Sequence, residues 1–466
     1  MDNSSNIQTA PAEAERAKNP EYEKLLEKIS STDIVVYELL NYTNKDAKDE
    51  FLANPEMSRP NFEYDIDEET INANLATIQG VYNSLDSAEG LSRQEELTLR
   101  ILTDENAKRN AFVRDCLDYN ATETPEEKSR AAEAHKFSGE ALYGRPDEAV
   151  FASLLRDELG KIKPENLSDD DRKTYESLLE EIGDLGDESA DRFRPKPETV
   201  EKFSTIIHEL FGKQFFRHIP EDKDEFTPAE ACEIAAEIIR EEIGEDATQY
   251  RAVMDDKIKN CSVNHLTREI KFPVERATGN GNFSRLELQK ILVHELGTHA
   301  YRAAVYEDHE VSALSREMPG NEEIDEGIAK CCEQAVAGKF SESGVDHYIN
   351  IGLATFKGKT FREVFEIQQK LLYLKGCKNP AETPEEKSAR FHAKDSVIFN
   401  RTARCFRGTG ELPNNKDLVY YNGAVKVWQF IEANIDDPDL PDKLFLSGKI
   451  DITSPDQERL IYETKH

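Results

Sequence analysis

Positive charge is scarce in this sequence. Lysine and arginine number 59 against 93 aspartate and glutamate residues, which gives a formal charge of -34 over 466 residues. Such a negative field repels the phosphate backbone of nucleic acids and anionic lipid surfaces. We therefore expect neither nucleic acid nor membrane as a partner, and we interpret the acidic balance mainly as a means of solvation.

Long apolar runs are also missing. No stretch approaches the roughly 20 apolar residues that cross a bilayer, and the N-terminal segment MDNSSNIQTAPAEAERAKNP has no apolar core of the kind that signal peptides carry. These absences predict a cytoplasmic protein. Residues 1–20 also lack helical periodicity, and we expect them to form a flexible tail.

Cysteines are few and follow no recognisable spacing. There are seven, an odd number, without any CxxC pair, and Cys331 and Cys332 are adjacent, where they cannot easily pair with each other. The pattern excludes a disulfide framework. We predict reduced thiols that mostly fill the core.

Helical periodicity dominates the chain, and apolar residues, at 38%, suffice to build a core. Predicted helices lie near residues 67–85, 92–118, 126–142, 147–160, 167–184, 200–211 and 228–243. The segment 183–198 mixes Gly, Pro and charge, and we place a boundary there between a helical N-terminal region, 21–190, and a catalytic region, 191–466, which could still pack as one unit. Residues 265–272 alternate like a strand at the edge of a small sheet. The predicted fold class is α+β, predominantly helical.

The chemistry is concentrated on one predicted helix. Ser284 and Glu287 form a capping box that starts this helix. It continues into His294-Glu295-Leu-Gly-Thr-His299, which resembles the HExxH helix of zinc peptidases with one extra residue. By contrast, the dipeptide His208-Glu209 has no second histidine at a suitable distance, and we expect no metal there.

The extra residue has a geometric consequence. Histidines five positions apart point about 140 degrees away from each other on a regular α-helix, so they could not share one ion. A π-bulge, which widens a single turn, would bring both imidazoles to one face. We therefore predict a π-bulge here, with Gly297 tolerating the disturbed backbone.

A catalytic zinc site usually has three protein ligands, so a third ligand should come from a neighbouring helix. The segment starting at Asn321 offers Glu326, although the apolar stripe Ile324, Ile328, Cys331 and Ala335 lies on the opposite side. A helix sandwiched between two layers can use both sides, and Gly327 would let another helix approach closely. Glu322, Glu323 and Asp325 are expected to be solvated acids at the helix start.

At this point the sequence resembles the microtubule-associated tyrosine carboxypeptidase family, which includes bacterial proteins described by a QEGLA motif. The family's HEIGTH and EEGLA segments are similar to His294–Arg302 and Asp325–Ala329, with EGIA here in place of EGLA. Weaker blocks resemble the family in the same order, over roughly residues 50–435: Ala141–Pro146, Phe361–Phe365, Arg404–Gly408 and Lys416–Gly423.

The resemblance implies a gluzincin-like zinc metallocarboxypeptidase that removes an aromatic residue, Tyr or Phe, from the C-terminus of a peptide or protein. Its metal ligands would be His294, His299 and Glu326, with Glu295 as the general base and Zn²⁺ as the cofactor. Tyr420 is the candidate donor to the oxyanion. Guanidinium groups bind a terminal carboxylate well because they match its two oxygens. Arg404 and Arg407 are the candidates for binding the substrate carboxylate, and Lys416 is a further candidate.

Two kinds of alternative stay open from the sequence. One is an endopeptidase or aminopeptidase, which would need an open cleft or an acidic site for an amine in place of arginines. The other is a zinc-stabilised binding or regulatory protein without turnover. Glu295 separates these readings, because a structural zinc site fills all four metal positions and needs no carboxylate beside the ligand.

Overall fold

The computed structural model describes residues 19–186, 190–244, 250–265, 267–276, 281–305, 312–315, 318–378 and 382–457. The predicted tail, residues 1–20, lies outside this set except for Asn19 and Pro20. Helices make up most of the described residues, and the strands are few and short. The predicted fold class, a predominantly helical α+β protein with a small sheet, is confirmed.

Helices account for nearly all regular structure before residue 190, as predicted. Most of them begin where a hydroxyl or acidic side chain caps free backbone amides; Ser92 with Glu95 and Ser168 with Asp171 are two capping boxes. The α-helices of this part are Pro20–Ser30, Val36–Leu39, Ala47–Ala53, Glu68–Leu85, Arg93–Ala121, Pro125–Tyr143, Glu148–Gly160 and Asp169–Ile182, with a 3₁₀ turn at Pro164–Asn166.

The rest of the chain is also mainly helical. Its α-helices are Pro197–Gln214, Pro228–Ile238, Arg285–Ile291, Tyr301–Ala304, Asn321–Val336, Val345–Lys357, Phe361–Lys375, Pro384–His392, Asp395–Cys405, Val419–Asn434 and Leu440–Phe445. Two segments are π-helical, Ile239–Ile243 and Leu292–Ala300, and 3₁₀ turns occupy Phe216–His218, Ser312–Ser315 and Lys416–Leu418. We call residues 285–304 the motif helix, Asn321–Val336 the ligand helix and Val419–Asn434 the tyrosine helix.

Within the described ranges, five short strands form two small sheets. β1 (Glu225–Phe226) pairs with β5 (Phe283–Ser284), and the other sheet has the order β2 (Arg251–Asp255), β4 (Glu269–Pro273), β3 (Ser262–Asn264). β4 runs parallel to β2 and antiparallel to β3. The three-stranded sheet packs against the π-helical part of the motif helix.

The predicted strand at 265–272 is wrong in its first half and in its position. The chain turns between β3 and β4: the Asn264 side chain accepts a hydrogen bond from the backbone of Thr267 at 3.0 Å, and Arg268 has a φ of 52°. This local turn interrupts the alternation. β4 therefore starts only at Glu269, and it is the central strand of its sheet.

Two large clusters of buried side chains hold the protein together. One joins Leu99 to Phe203, Leu292 and Trp428, and the other joins Phe151 to residues beyond 340. Helices from before residue 183 thus pack into the same cores as helices from after residue 198. All seven cysteines have free thiols, as predicted. Within the described residues, no helix combines the length and apolar character needed to cross a bilayer.

Candidate metal centre

The motif helix contains the wide turn that the histidine spacing predicts. Leu292–Ala300 is π-helical, so its hydrogen bonds span five residues and residues five apart return to one face. The rings of His294 and His299 lie 4.9 Å apart between centroids, at 72°. Possible ligand atoms of His294, Glu295 and His299 all lie within 4.8 Å of one another. The predicted π-bulge is confirmed.

Gly297, inside the motif, is required by packing. A Cβ at this position would lie 2.7 Å from Cε1 of Phe211 and 3.3 Å from the ring of Phe215. Its φ is not positive, so the backbone alone does not demand glycine. These aromatic rings pack against the motif helix within its π-helical segment.

Glu326 lies on the ligand helix beside this turn. Its Oε2 is 3.9 Å from Nε2 of His294, and that oxygen is buried without a hydrogen-bond partner in the part of the chain that the structure describes. A buried carboxylate oxygen left without a partner is costly unless a cation compensates it. The position and the missing partner both fit a third metal ligand.

Each of the two imidazoles is hydrogen-bonded through Nδ1 to a carboxylate. Nδ1 of His294 lies 2.5 Å from Oε1 of Glu333, and Nδ1 of His299 lies 2.6 Å from Oδ2 of Asp325. Because an ionised carboxylate only accepts, each Nδ1 carries a proton, so in the neutral ring each Nε2 keeps its lone pair for a metal. Metal-ligating histidines in proteins are commonly held in this way.

Glu333 was not anticipated from the sequence. It follows Glu326 by seven residues, or two helical turns, so both carboxylates lie on the same face of the ligand helix. Burial raises the pKa of Glu333, but the hydrogen bond from His294 and the charge of Lys330, 2.8 Å away, outweigh this and lower it to about 2. Glu333 is therefore an anion that accepts from His294.

The expectation that Asp325 is a solvated acid is wrong. Asp325 is only 4% exposed and accepts hydrogen bonds from His299, from Arg302 and, at 2.5 Å, from Lys449. Burial would raise its pKa, but Lys449, His299 and Arg302 hold it well below the usual range. The sequence signal failed because Lys449 is distant in the chain and the ligand helix is buried on several sides.

The two acids before it are not free in solvent either. Glu322 forms an ion pair with Lys416, and Glu323 forms one with Lys426 of the tyrosine helix. Their side chains are partly buried because the ligand and tyrosine helices pack closely together. Local helix-dipole arguments could not anticipate partners from another helix.

Glu295 lies beside the candidate metal ligands. It is 7% exposed, and its carboxylate lies in the group formed with His294 and His299. Among the described residues it has no hydrogen-bond or ion-pair partner. An uncommitted carboxylate at this point can accept a proton from a water held between the histidines.

Tyr420, near the start of the tyrosine helix, is brought to the same site. Arg404 donates from Nη2 to its hydroxyl at 3.1 Å. The negative charge of Glu326 and, next, burial raise the pKa of Tyr420. The phenol therefore stays protonated and can donate a hydrogen bond near Glu326.

The three candidate carboxylate binders differ in what they already bind. Arg404 makes a bidentate ion pair with Asp417, at 2.6 and 2.8 Å, and Lys416 is paired with Glu322. Arg407 is 9% exposed, and its guanidinium has no hydrogen-bond or ion-pair partner within the described ranges. Burial lowers its pKa, against the opposing charge of Asp417. Of the three, Arg407 is the one available to a ligand.

Two cavities lie near these cations. Arg404 and Arg407 border a cavity of about 180 Å³ together with Tyr64. A larger cleft, of about 560 Å³, is lined by Glu322 and Glu323 of the ligand helix, but not by His294, Glu295, His299 or Glu326. Residues from before and after position 190 line it, with Val36, Arg109, Tyr143, His265 and Lys416 among them.

Other histidine-acid pairs in the chain are less suited to a metal. His208, in the sequence pair His208-Glu209, is exposed, and its Nδ1 contacts the carbonyl of Ser204 at 2.9 Å. His218 lies near Glu241 and Glu242, but Arg217 already donates to Glu242 and, at 3.3 Å, to Nε2 of His218. A guanidinium therefore occupies the place that a cation would take there.

Comparison of the chain with protein-family models, with curated proteins and with solved structures found no match in any of the three. The assignment of function therefore depends on the geometry described above.

Proposed function

We propose that this protein is a gluzincin-like zinc peptidase that acts as a carboxypeptidase, as its resemblance to the tyrosine carboxypeptidase family implies. The observation that carries the proposal is that possible ligand atoms of His294 and His299 lie within 4.8 Å of each other, while Oε2 of Glu326, 3.9 Å from Nε2 of His294, is buried without a hydrogen-bond partner among the described residues. Two imidazoles and one carboxylate are the ligand set of catalytic zinc in several peptidases.

Zinc bound there would act as a Lewis acid and activate a water as the nucleophile. The protein's part in the reaction is the handling of protons and charge. Glu295 takes the proton of the attacking water and passes it to the leaving amine. Its burial beside the ligands keeps bulk water from competing for that proton transfer.

Tyr420 supplies a donor to the developing oxyanion. Its hydroxyl stays protonated because the charge of Glu326 raises its pKa, and Arg404 holds the ring from one side. Asp417 in turn fixes Arg404 through two hydrogen bonds. Donors held in place before the reaction stabilise charge without reorganising.

Arg407 favours a carboxypeptidase over an endopeptidase. A buried guanidinium without a protein partner is unfavourable by itself, but it matches a substrate carboxylate through two parallel hydrogen bonds. Arg404 and Lys416 are less available because each already has an acid. The cleft of about 560 Å³ at the start of the ligand helix, lined by Glu322 and Glu323, is of a size that can hold peptide residues.

The test is cleavage of a peptide panel followed by mass spectrometry. The peptides differ in the last residue, Tyr, Phe, Ala or Glu, and each is made with a free carboxylate and as a C-terminal amide. Wild-type protein, chelator-treated protein with and without added zinc, and Glu295→Gln are compared. Glu209→Gln is the matched control, because it changes the glutamate of the other His-Glu pair, which lies outside the site.

We expect wild type and Glu209→Gln to release an aromatic residue from free-carboxylate peptides. Chelation should abolish release and zinc restore it, and Glu295→Gln should be slower by about 100-fold or more. Cleavage that survives chelation would remove the metallopeptidase proposal. Equal cleavage of amides would favour an endopeptidase, and zinc binding without any cleavage would favour the non-catalytic alternative.

A further inference from the structure

The C-terminal segment, residues 446–452, reaches the far side of the candidate metal centre. It follows the helix Leu440–Phe445, and its residues Ser447, Lys449 and Ile450 are buried. Such burial is unusual for a segment without regular secondary structure, since its backbone groups need partners elsewhere. The partners it finds lie around the metal-binding helices.

Hydrogen bonds fix the backbone of this segment on both sides of Lys449. The amide of Lys449 donates to the carbonyl of Leu314 at 2.8 Å, and the amide of Met318 donates to the carbonyl of Lys449 at 2.9 Å. Arg302, from the motif helix, donates to the carbonyl of Ile450 at 3.2 Å. The segment is thus docked between the motif helix and the chain that enters the ligand helix.

The Lys449 side chain ends on the carboxylate that holds His299. Its Nζ lies 2.5 Å from Oδ2 of Asp325, the same oxygen that accepts from Nδ1 of His299 at 2.6 Å. Arg302 occupies the other oxygen of Asp325. His265, from the turn after β3, lies 3.3 Å from the Lys449 Nζ and 2.7 Å from the Tyr250 hydroxyl. Lys449 and Arg302 are almost completely buried.

The two imidazoles therefore depend on different parts of the chain. His294 is held by Glu333 and, behind it, Lys330, both from the ligand helix. For His299, the lysine behind the carboxylate comes from a segment 124 residues away from Asp325. Removing one partner of a buried ion pair leaves the other charge uncompensated and free to move.

We propose that Lys449 is a positioning residue of the metal centre, and that docking of residues 446–452 is needed for Asp325 to hold His299 in its metal-binding orientation. This inference rests on the metal site of the proposed function, but not on turnover. Because the coupling is reciprocal, metal binding must also stabilise the docked segment.

The first test measures zinc affinity by competition with a chromophoric chelator, and the absorption of the Co²⁺-substituted protein. Lys449→Met is compared with wild type and with Lys443→Met, which removes a lysine of the preceding helix that pairs with Asp437. We expect Lys449→Met to lose about 10- to 100-fold in affinity and to alter the Co²⁺ spectrum, and Lys443→Met to match wild type. Thermal unfolding of the metal-free proteins separates this loss from a change in stability. A folded Lys449→Met protein with wild-type affinity and spectrum would overturn the inference.

The second test needs no variant, and so it stands even if Lys449→Met does not fold. Hydrogen-deuterium exchange of wild type is measured with and without zinc. Zinc should slow exchange of the Lys449 and Met318 amides, which bind across the docked segment. If the protein binds zinc but the exchange rates of the Lys449 and Met318 amides do not change, the coupling is refuted while the peptidase proposal stands. A wild-type protein that binds no zinc would remove both.

Discussion

Gly327 of the ligand helix and Gly423 of the tyrosine helix lie directly opposite each other where the two helices cross. A Cβ on Gly327 would come within 2.3 Å of the carbonyl oxygen of Gly423, and a Cβ on Gly423 within 1.9 Å of the carbonyl oxygen of Glu323. Only hydrogen fits at either position. This close crossing, anticipated at Gly327 from the sequence, brings Tyr420 near enough for the charge of Glu326 to raise its pKa.

Gly423→Ala should therefore force the two helices apart. Because the methyl group would meet backbone atoms that cannot rotate away, we expect the free energy of unfolding to fall by about 3 kcal/mol, and peptidase activity to fall further than stability explains. Chemical denaturation and peptide cleavage measure the two effects. Gly80→Ala is the control, since its Cβ would meet nothing within 4 Å. Equal behaviour of the two variants would contradict the packing argument.

Arg407 and Arg404 should respond differently to substitution by alanine. Arg407→Ala removes a buried cation without a protein partner, so stability should hold, while kcat/KM for free-carboxylate peptides should fall by about 10- to 100-fold. Arg404→Ala leaves the buried Asp417 with His347, 3.2 Å away, but without its guanidinium partner, and should cost about 3 kcal/mol of stability. The two variants are compared by denaturation curves and by cleavage kinetics on peptides that end in a free carboxylate or in a C-terminal amide. Arg407→Ala with undiminished cleavage of free-carboxylate peptides would exclude its role in binding the terminus.

Glu333→Gln should weaken zinc binding without unfolding the protein. The amide oxygen still accepts from His294, but the negative charge that strengthens this ligand is lost, and such outer partners are typically worth about 10- to 100-fold in metal affinity. Chelator competition measures the change. Glu201→Gln, at an exposed position of the helix Pro197–Gln214, is the control. Unchanged zinc affinity in Glu333→Gln would show that His294 does not ligate through Nε2.

His135 should make stability depend on pH. It is buried beside Phe112, with ring centroids 5.1 Å apart, and burial lowers its pKa from 6.5 to about 4. As pH falls below 6.5, His135 becomes protonated in the unfolded chain, whereas in the folded protein it stays neutral until about pH 4. The stabilisation is therefore present above the unfolded pKa and is lost as pH falls through this window, by roughly 3 kcal/mol in total.

The measurement is urea denaturation at several pH values between these limits, comparing wild type with His135→Leu. On acidification the free energy of unfolding of His135→Leu should fall by roughly 3 kcal/mol less than that of wild type. His392→Leu, at an exposed site, should show the same pH dependence as wild type. Parallel curves for wild type and His135→Leu would show that His135 is protonated in the folded state.

Much of the helical content could be read from the sequence because helix signals are local. Capping boxes such as Ser284 with Glu287, and apolar residues at helical spacing, mark helices within a few residues of where the structure has them. The five-residue step between His294 and His299 also determined the wide turn, since two imidazoles on a regular helix could not meet. These inferences required only residues within two helical turns of each other.

The tertiary structure decided which of these side chains have partners. Arg404, Arg407 and Lys416 look alike in the sequence, but Asp417 and Glu322 occupy two of them and leave Arg407 uncommitted. In the sequence, Asp325 resembles any acid at a helix start, and only the fold shows its contact with Lys449, 124 residues away. Electrostatic and hydrogen-bond energies depend on distance in space and on burial, and neither quantity is present in the order of residues along the chain.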